Sequence, residues 1–372
     1  MTAPRLEIDL DRIHHNACTL VQRLDDRGIA VTGVTKAALG SSEIACALLR
    51  GGVSSLGDSR IENIEAMRTA QVPASMMLIR SPMLSQAERV VAQADVSFNT
   101  ELEVISKLSS AAQDAGRTHG VVLMIELGDL REGIMADDLE RTVRETLSFP
   151  NIELKGIGTN LACRSGVVPD AKNMGELSAL ADSIDATFGL VLEIVSGGNS
   201  GNLAWALSGA DTGRINHLRL GESFLLGCET LHRQPIDGLH TDAFTLIAEV
   251  IESKRKPSRP WGEIAQTAFG EQPMEADRGD ISQVILALGR QDTDTSGLES
   301  PAGIEILGAS SDHLIAECSL EHMSVGAEVR LQPNYSALVR AMTSPFVTKV
   351  MKVQKDGASA PAGHVAPPKP RA

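Results

Sequence analysis

Between residues 30 and 220 the chain repeats one unit: a short run rich in Val, Ile and Leu, then a stretch whose apolar residues recur at helical spacing with charges between them. The runs at 30–35, 53–57, 76–79, 95–98, 120–126, 154–160, 191–196 and 216–220 read as strands. Segments such as 41–50, 101–115, 136–147 and 172–187 read as amphipathic helices long enough to be right-handed crossovers. Eight consecutive βα units predict a closed TIM (β/α)8 barrel of the α/β class. The rival, an open doubly wound sheet, carries a Gly-rich turn after its first strand, whereas this chain has Thr35-Lys36-Ala37 there.

A barrel takes roughly 250 residues, and the chain has 372, which leaves room for a second, smaller domain. After residue 240 the texture changes to short β-like runs at 244–251, 284–288, 303–307, 313–318 and 328–331, separated by Gly, Pro, Asp and Ser. These predict a C-terminal, mainly antiparallel β domain. Leu6-Glu7-Ile8 is placed to add a strand to it. The expected division is therefore a barrel over 11–235 and a β domain over 236–352 together with 1–10. The Ala-, Pro- and Gly-rich tail at 353–372 is expected to be disordered.

Composition narrows the function classes. A net charge of −14 argues against nucleic-acid binding, which needs basic residues concentrated on one face. The five cysteines are dispersed without a Cys-x-x-Cys pair, so neither a metal site nor a disulfide framework is expected. No run of about 18 apolar residues occurs, and the start of the chain lacks a signal-peptide pattern, so a cytoplasmic protein without a membrane partner is expected.

Barrel sites form at the C-terminal ends of the strands. There the chain places Lys36, Asp58 with Arg60, Arg80, Asn99, Arg131, Thr159-Asn160, Ser196-Gly197-Gly198-Asn199-Ser200 and Arg219-Leu220-Gly221. A lysine in a barrel mouth among cations has its pKa lowered and becomes a nucleophile toward carbonyls. The Gly-rich loop after the seventh run precedes a helical stretch, which suits a phosphate. A lysine opposite a phosphate site fits pyridoxal phosphate, and it fits a phosphosugar aldolase equally well.

Val34-Thr35-Lys36, Gly57-Asp58-Ser59-Arg60-Ile61-Glu62-Asn63, Gly128-Asp129-Leu130-Arg131-Glu132-Gly133, Gly158-Thr159-Asn160-Leu161-Ala162-Cys163, Ser196 to Ser200 and Asn216-His217-Leu218-Arg219-Leu220-Gly221-Glu222 together resemble the alanine racemase-like, fold type III pyridoxal-phosphate enzymes. The likeness runs from about residue 5 to residue 350, and within that group it is greatest to the ornithine racemase branch. The resemblance implies a racemase of a free amino acid, ornithine or another basic one first. It implies pyridoxal 5'-phosphate on Lys36 as a Schiff base, and a homodimer. A decarboxylase or aldolase of the same fold is the alternative, and a non-catalytic cofactor carrier is a third reading that the extra β domain disfavours.

By the same resemblance Asn199, Ser200, Gly221 and the Glu222 backbone hold the phosphate. Arg131 lies near the cofactor hydroxyl and the substrate carboxylate, and Arg219 faces the pyridine nitrogen. Asn160 stands where alanine racemases commonly have a histidine behind the ring. Two positions depart from the pattern: Phe269, in Thr267-Ala268-Phe269-Gly270, replaces the family's second catalytic base, and Phe346 replaces a phosphate-binding tyrosine. Tyr335, the only tyrosine, resembles a structural position. The candidates for the missing base are Asp312 and His313, with Asp312 also suited to the distal ammonium of a basic substrate.

Overall fold

The computed structural model describes residues 2–270, 277–319 and 323–353. Strand β1 (Arg5–Asp9) comes first, and the Asp9 carboxylate accepts the N–H groups of Asp11 and Arg12, starting the helix Leu10–Asp25. Eight parallel strands follow: β2 (Ala30–Val34), β3 (Ser55–Asp58), β4 (Met76–Leu78), β5 (Val96–Asn99), β6 (His119–Ile125), β7 (Ile152–Thr159), β8 (Ile194–Gly198) and β9 (His217–Leu220). They close into a barrel through pairing of β2 with β9, where Ala30 faces His217 and Gly33 faces Leu220. Closure excludes the open sheet, and each of the eight expected runs coincides with a barrel strand to within a few residues.

Helices form where the sequence pattern calls for them, at Ser42–Arg50, Leu102–Asp114, Ala136–Ser148 and Ala171–Phe188. The last opens with a capping box between Asp170 and Asn173 and ends at Gly189 in the left-handed region. Their buried faces and the outward faces of the strands make one continuous apolar core.

The second body is an eight-stranded sheet built from β1 and from β10 (Phe244–Pro257), β11 (Asp280–Leu286), β12 (Leu298–Glu299), β13 (Ile304–Ala309), β14 (Leu314–Cys318), β15 (Glu328–Pro333) and β16 (Thr348–Lys352). A register shift between Val250 and Glu252 bends β10, so that its first half pairs β1 and β15 and its second half pairs β11. Leu6-Glu7-Ile8 does join this sheet, antiparallel to β10 and parallel to β16. Pattern reading did not anticipate β12, β16 or the helix Tyr335–Thr343, whose apolar residues fall on one buried face. That helix packs against the turn carrying Lys36, which ties the two bodies together at the barrel mouth. The expected disordered tail, apart from Val353, lies outside the described residues.

Candidate active site

Inside the barrel, below its mouth, sits a chain of buried polar side chains. Arg219 donates to Ser196 Oγ and, at 2.7 Å, to the Thr159 carbonyl. Ser196 Oγ is 2.8 Å from His217 Nδ1, and His217 Nε2 is 2.7 Å from Thr32 Oγ1, which is 2.6 Å from Ser55 Oγ. Arginine only donates, so Ser196 accepts from it and gives its own proton to His217 Nδ1. The imidazole is thereby held as the neutral Nε2–H tautomer, and complete burial pushes its pKa down to about 3. Arg219 lies over the Phe98 ring at 4.9 Å and is itself pushed down to about 10, first by burial and then by Arg131, so it keeps its proton at neutral pH. Ordinary barrel cores are dry and branched; this one uses hydrogen bonds to aim a guanidinium at the mouth.

Above this layer lies a cavity of about 540 Å³. Lys36 enters it from the 3₁₀ turn Lys36–Ala38 that follows β2. Its amine meets the solvent within the cavity, but protein surrounds it on most sides. Among the described residues none gives it a hydrogen bond or ion pair. Loss of water lowers its pKa, and Arg131 and Arg219 push the same way, while Cys163 and Asp58 oppose them. Asp58 is buried beside it, where burial raises the carboxyl pKa despite bonds from Thr35 Oγ1 (2.8 Å), Arg60 N (2.9 Å) and Asn63 Nδ2 (3.0 Å).

The wall formed by β8 and β9 is a small cradle. Gly198 has φ 143°, and a Cβ there would fall 2.2 Å from Asn202 Oδ1, so only glycine lets the loop turn. Asn199 caps the next turn by accepting from Gly201 N at 2.7 Å. Ser200 Oγ stands 3.1 Å from Ser223 Oγ and 3.4 Å from the N–H groups of Gly221 and Ser223. A Cβ on Gly221 would press within 3.2 Å of Val34. Thr230 also lines the cavity, and its buried Oγ1 has no hydrogen-bond partner among the described residues. Five cationic side chains, Lys36, Arg80, Arg131, Arg219 and Arg233, face two carboxylates, Glu132 and Glu222, among the described lining residues. An excess of cations, an orphan hydroxyl and a cradle of N–H groups fit the phosphate and aldehyde ends of pyridoxal phosphate.

The opposite wall comes from the loops after β6 and β7. Arg131 is clasped by Glu132 and donates to Cys163 Sγ at 2.7 Å. The buried carboxylate of Asp129 accepts the N–H groups of Cys163 (3.3 Å), Arg164 (2.8 Å) and Ser165 (3.0 Å). Burial raises its pKa, but these bonds outweigh burial and the net shift is downward. Asn160 bridges the walls, 3.1 Å from Asn199 Nδ2 and 3.4 Å from Arg219, with Arg131 at 3.2 Å when the amide is turned over.

One cavity thus gathers Lys36, Arg131, Asn160, Asn199, Ser200, Arg219, Gly221 and Glu222, along with Arg80. Arg60 does not line it. Asp312 and His313 do not line it either: they sit on the exposed turn between β13 and β14, paired with each other at 2.8 Å. Phe269 is exposed under the Arg290 guanidinium, 4.3 Å away, and Phe346 is exposed outside the cavity. Tyr335, read from sequence as structural, also lines the cavity. Pattern reading also passed over Cys163 as a site residue, Thr230 and Arg233. The tyrosine's signal was available, because Asn334 before an apolar-periodic stretch marks a helix start at Tyr335.

These features define a TIM-barrel protein whose cavity holds a largely surrounded lysine facing a glycine-rich loop. Residues 8–227 match the family of alanine racemase N-terminal domains. The chain is 40% identical to the ornithine racemase of Acetoanaerobium sticklandii over 351 residues, 93% of this chain and 99% of the relative. It is 37% identical to the lysine racemase of Thermotoga maritima over 352 residues, 94% of this chain and 99% of the relative. Its fold superimposes on a crystal structure of alanine racemase from Bartonella henselae with covalently bound pyridoxal phosphate (TM-score 0.72, 18% identity, 94% of this chain and 100% of the other). The chain belongs to the alanine racemase N-terminal-domain family.

Proposed function

We infer that the chain is a pyridoxal 5'-phosphate-dependent amino-acid racemase acting on ornithine or another free basic amino acid. The observation that carries this reading is the Lys36 amine, without a protein partner, facing a cradle that includes the orphan Thr230 hydroxyl. The ornithine and lysine racemases, each matched over nearly its whole length, support the basic substrate.

In this reading Asn199, Ser200, Gly221 and the Glu222 backbone hold the phosphate, Asn160 backs the ring, and Arg131 receives the substrate carboxylate. Bound there, the cofactor would accept the electron pair of the substrate Cα–H bond. Lys36, with its pKa lowered, takes or returns that proton on one side of Cα. Arg219 keeps its own proton and so does not hand one to the ring nitrogen, which leaves the ring a weak electron sink. Glu222, a carboxylate able to protonate that nitrogen, is engaged by Arg233 instead. Both features favour inversion over decarboxylation.

The reading includes a cytoplasmic homodimer with a barrel over 11–235 and a β domain over 236–352 with 1–10. Asp312 and His313 would then reach a substrate only in the cavity of a second copy, where they are rival candidates for the second base and Asp312 is alternatively placed for the distal ammonium. The test is to incubate the cofactor-loaded protein with single L-amino acids in deuterated water and follow Cα deuterium and chirality together. Deuterated D-ornithine or D-lysine is the expected product. Absence of exchange with every amino acid, despite a Lys36-dependent visible absorbance, overturns the reading.

A further inference from the structure

We propose that Cys163 is the second acid–base group of this site and exchanges the Cα proton on the side of the substrate away from Lys36. The inference rests on the racemase reading. Inversion needs a proton removed from one side of Cα and another returned to the opposite side, so a second proton-transfer group must face Lys36 across the substrate.

The described cavity residues leave few groups for that work. The arginines do not serve as proton-transfer groups near neutral pH. Glu132 is clasped by Arg131, and Glu222 is engaged by Arg233. Burial pushes the Tyr335 phenol up to about 12, far from the working range. The hydroxyls of Ser59, Ser200 and Thr230 are poorer acids than a thiol, which leaves the Cys163 sulfur as the lining group best able to take and return a proton. Phe269, which by resemblance stands where alanine racemases have their second base, has no proton to give.

Topology puts the sulfur on the correct flank. Lys36 follows β2 and Cys163 follows β7, and around the barrel β8 and β9 stand between them. Those two strands carry the cradle and Arg219, so Lys36 and Cys163 flank the cradle from opposite sides. The sulfur is nevertheless near enough to Lys36 for its charge to bear on the amine. Its position is held twice: Asp129 pins the backbone of Cys163, Arg164 and Ser165, and Arg131 Nη1 donates to the sulfur at 2.7 Å. The unpartnered Thr230 hydroxyl independently marks this cavity as one that takes a ligand.

In the step itself the thiolate forms an S–H bond as the Cα–H bond breaks, and the electron pair is left where the bound cofactor would accept it. Protonated Lys36 then forms the new Cα–H bond from the other side. The two groups end with exchanged protonation states, which solvent resets.

The experiment compares wild type, Cys163→Ala and Cys163→Ser, all cofactor-loaded, with L- and D-ornithine separately in deuterated water. Both variants should retain the visible absorbance of cofactor on Lys36, lose racemisation by at least about a hundredfold, and still exchange the Cα proton of one enantiomer without inverting it. In the apo protein iodoacetamide should alkylate Cys163, and pyridoxal phosphate should protect it, as read by peptide mass. Racemisation at the wild-type rate by Cys163→Ala overturns the inference. So does unprotected alkylation, or one-sided exchange that appears instead in Asp312→Asn or His313→Asn. A wild-type protein that racemises nothing overturns the racemase reading itself, which separates the two failures.

Discussion

Two regions of this molecule concentrate charge, and they do so in opposite ways. At the junction of β1, β15 and β16 the Glu7 carboxylate meets Arg5 (3.2 Å), Arg330 (3.2 Å) and Lys352, while Arg5 also grips Glu328 at 2.6 and 2.7 Å. Burial would raise the Glu7 pKa, but Lys352 and Arg5 hold it below the ordinary value. At the barrel mouth the cations outnumber the carboxylates, and among the described residues an amine and a hydroxyl are left without partners. A saturated network joins parts of the fold, whereas an unsaturated one leaves its binding energy for a ligand.

Substitutions on the two sides should separate cleanly. Lys36→Ala should cut turnover by about 10⁴-fold or more and abolish the visible absorbance of bound cofactor. It should not lower the thermal midpoint, because the fold disfavours the charged form of that lysine. A protein that unfolded on losing Lys36 would break the contrast. Glu7→Gln should do the reverse, lowering unfolding free energy by about 2 kcal/mol in urea titrations with cofactor affinity retained. That is less than a fully dry ion pair, because Arg330 and Lys352 keep about half of their side chains in water. The smallest effect sharpens the picture of the mouth: Thr230→Val should weaken pyridoxal phosphate roughly tenfold and leave pyridoxal, which lacks the phosphate, unchanged in a fluorescence titration.

The barrel was legible because its strands are buried on both faces and read as short branched runs, and Lys36 was legible because it ends the first of them. The β domain was only partly so. Thr348–Lys352 lacks the branched, apolar character of a core strand and forms β16 by pairing with β1 from the other end of the chain. That Tyr335 lines the cavity depends on where its helix docks, which is beside the Lys36 turn. The Asp312–His313 pair is a candidate base only through the family resemblance, and an antiparallel hairpin carries it to an exposed turn away from its own chain's cavity.

Periodicity and turn chemistry are properties of neighbouring residues, so sequence by itself determined the repeating βα units, the antiparallel second body, the lysine and the glycine turn of the cradle. Distances between residues far apart in the chain follow from how strands close and helices dock. Tertiary structure alone therefore decided that Cys163, Arg131 and Lys36 share one cavity, that Thr230 has no partner among the described residues, and that His217 is a neutral strut under Arg219.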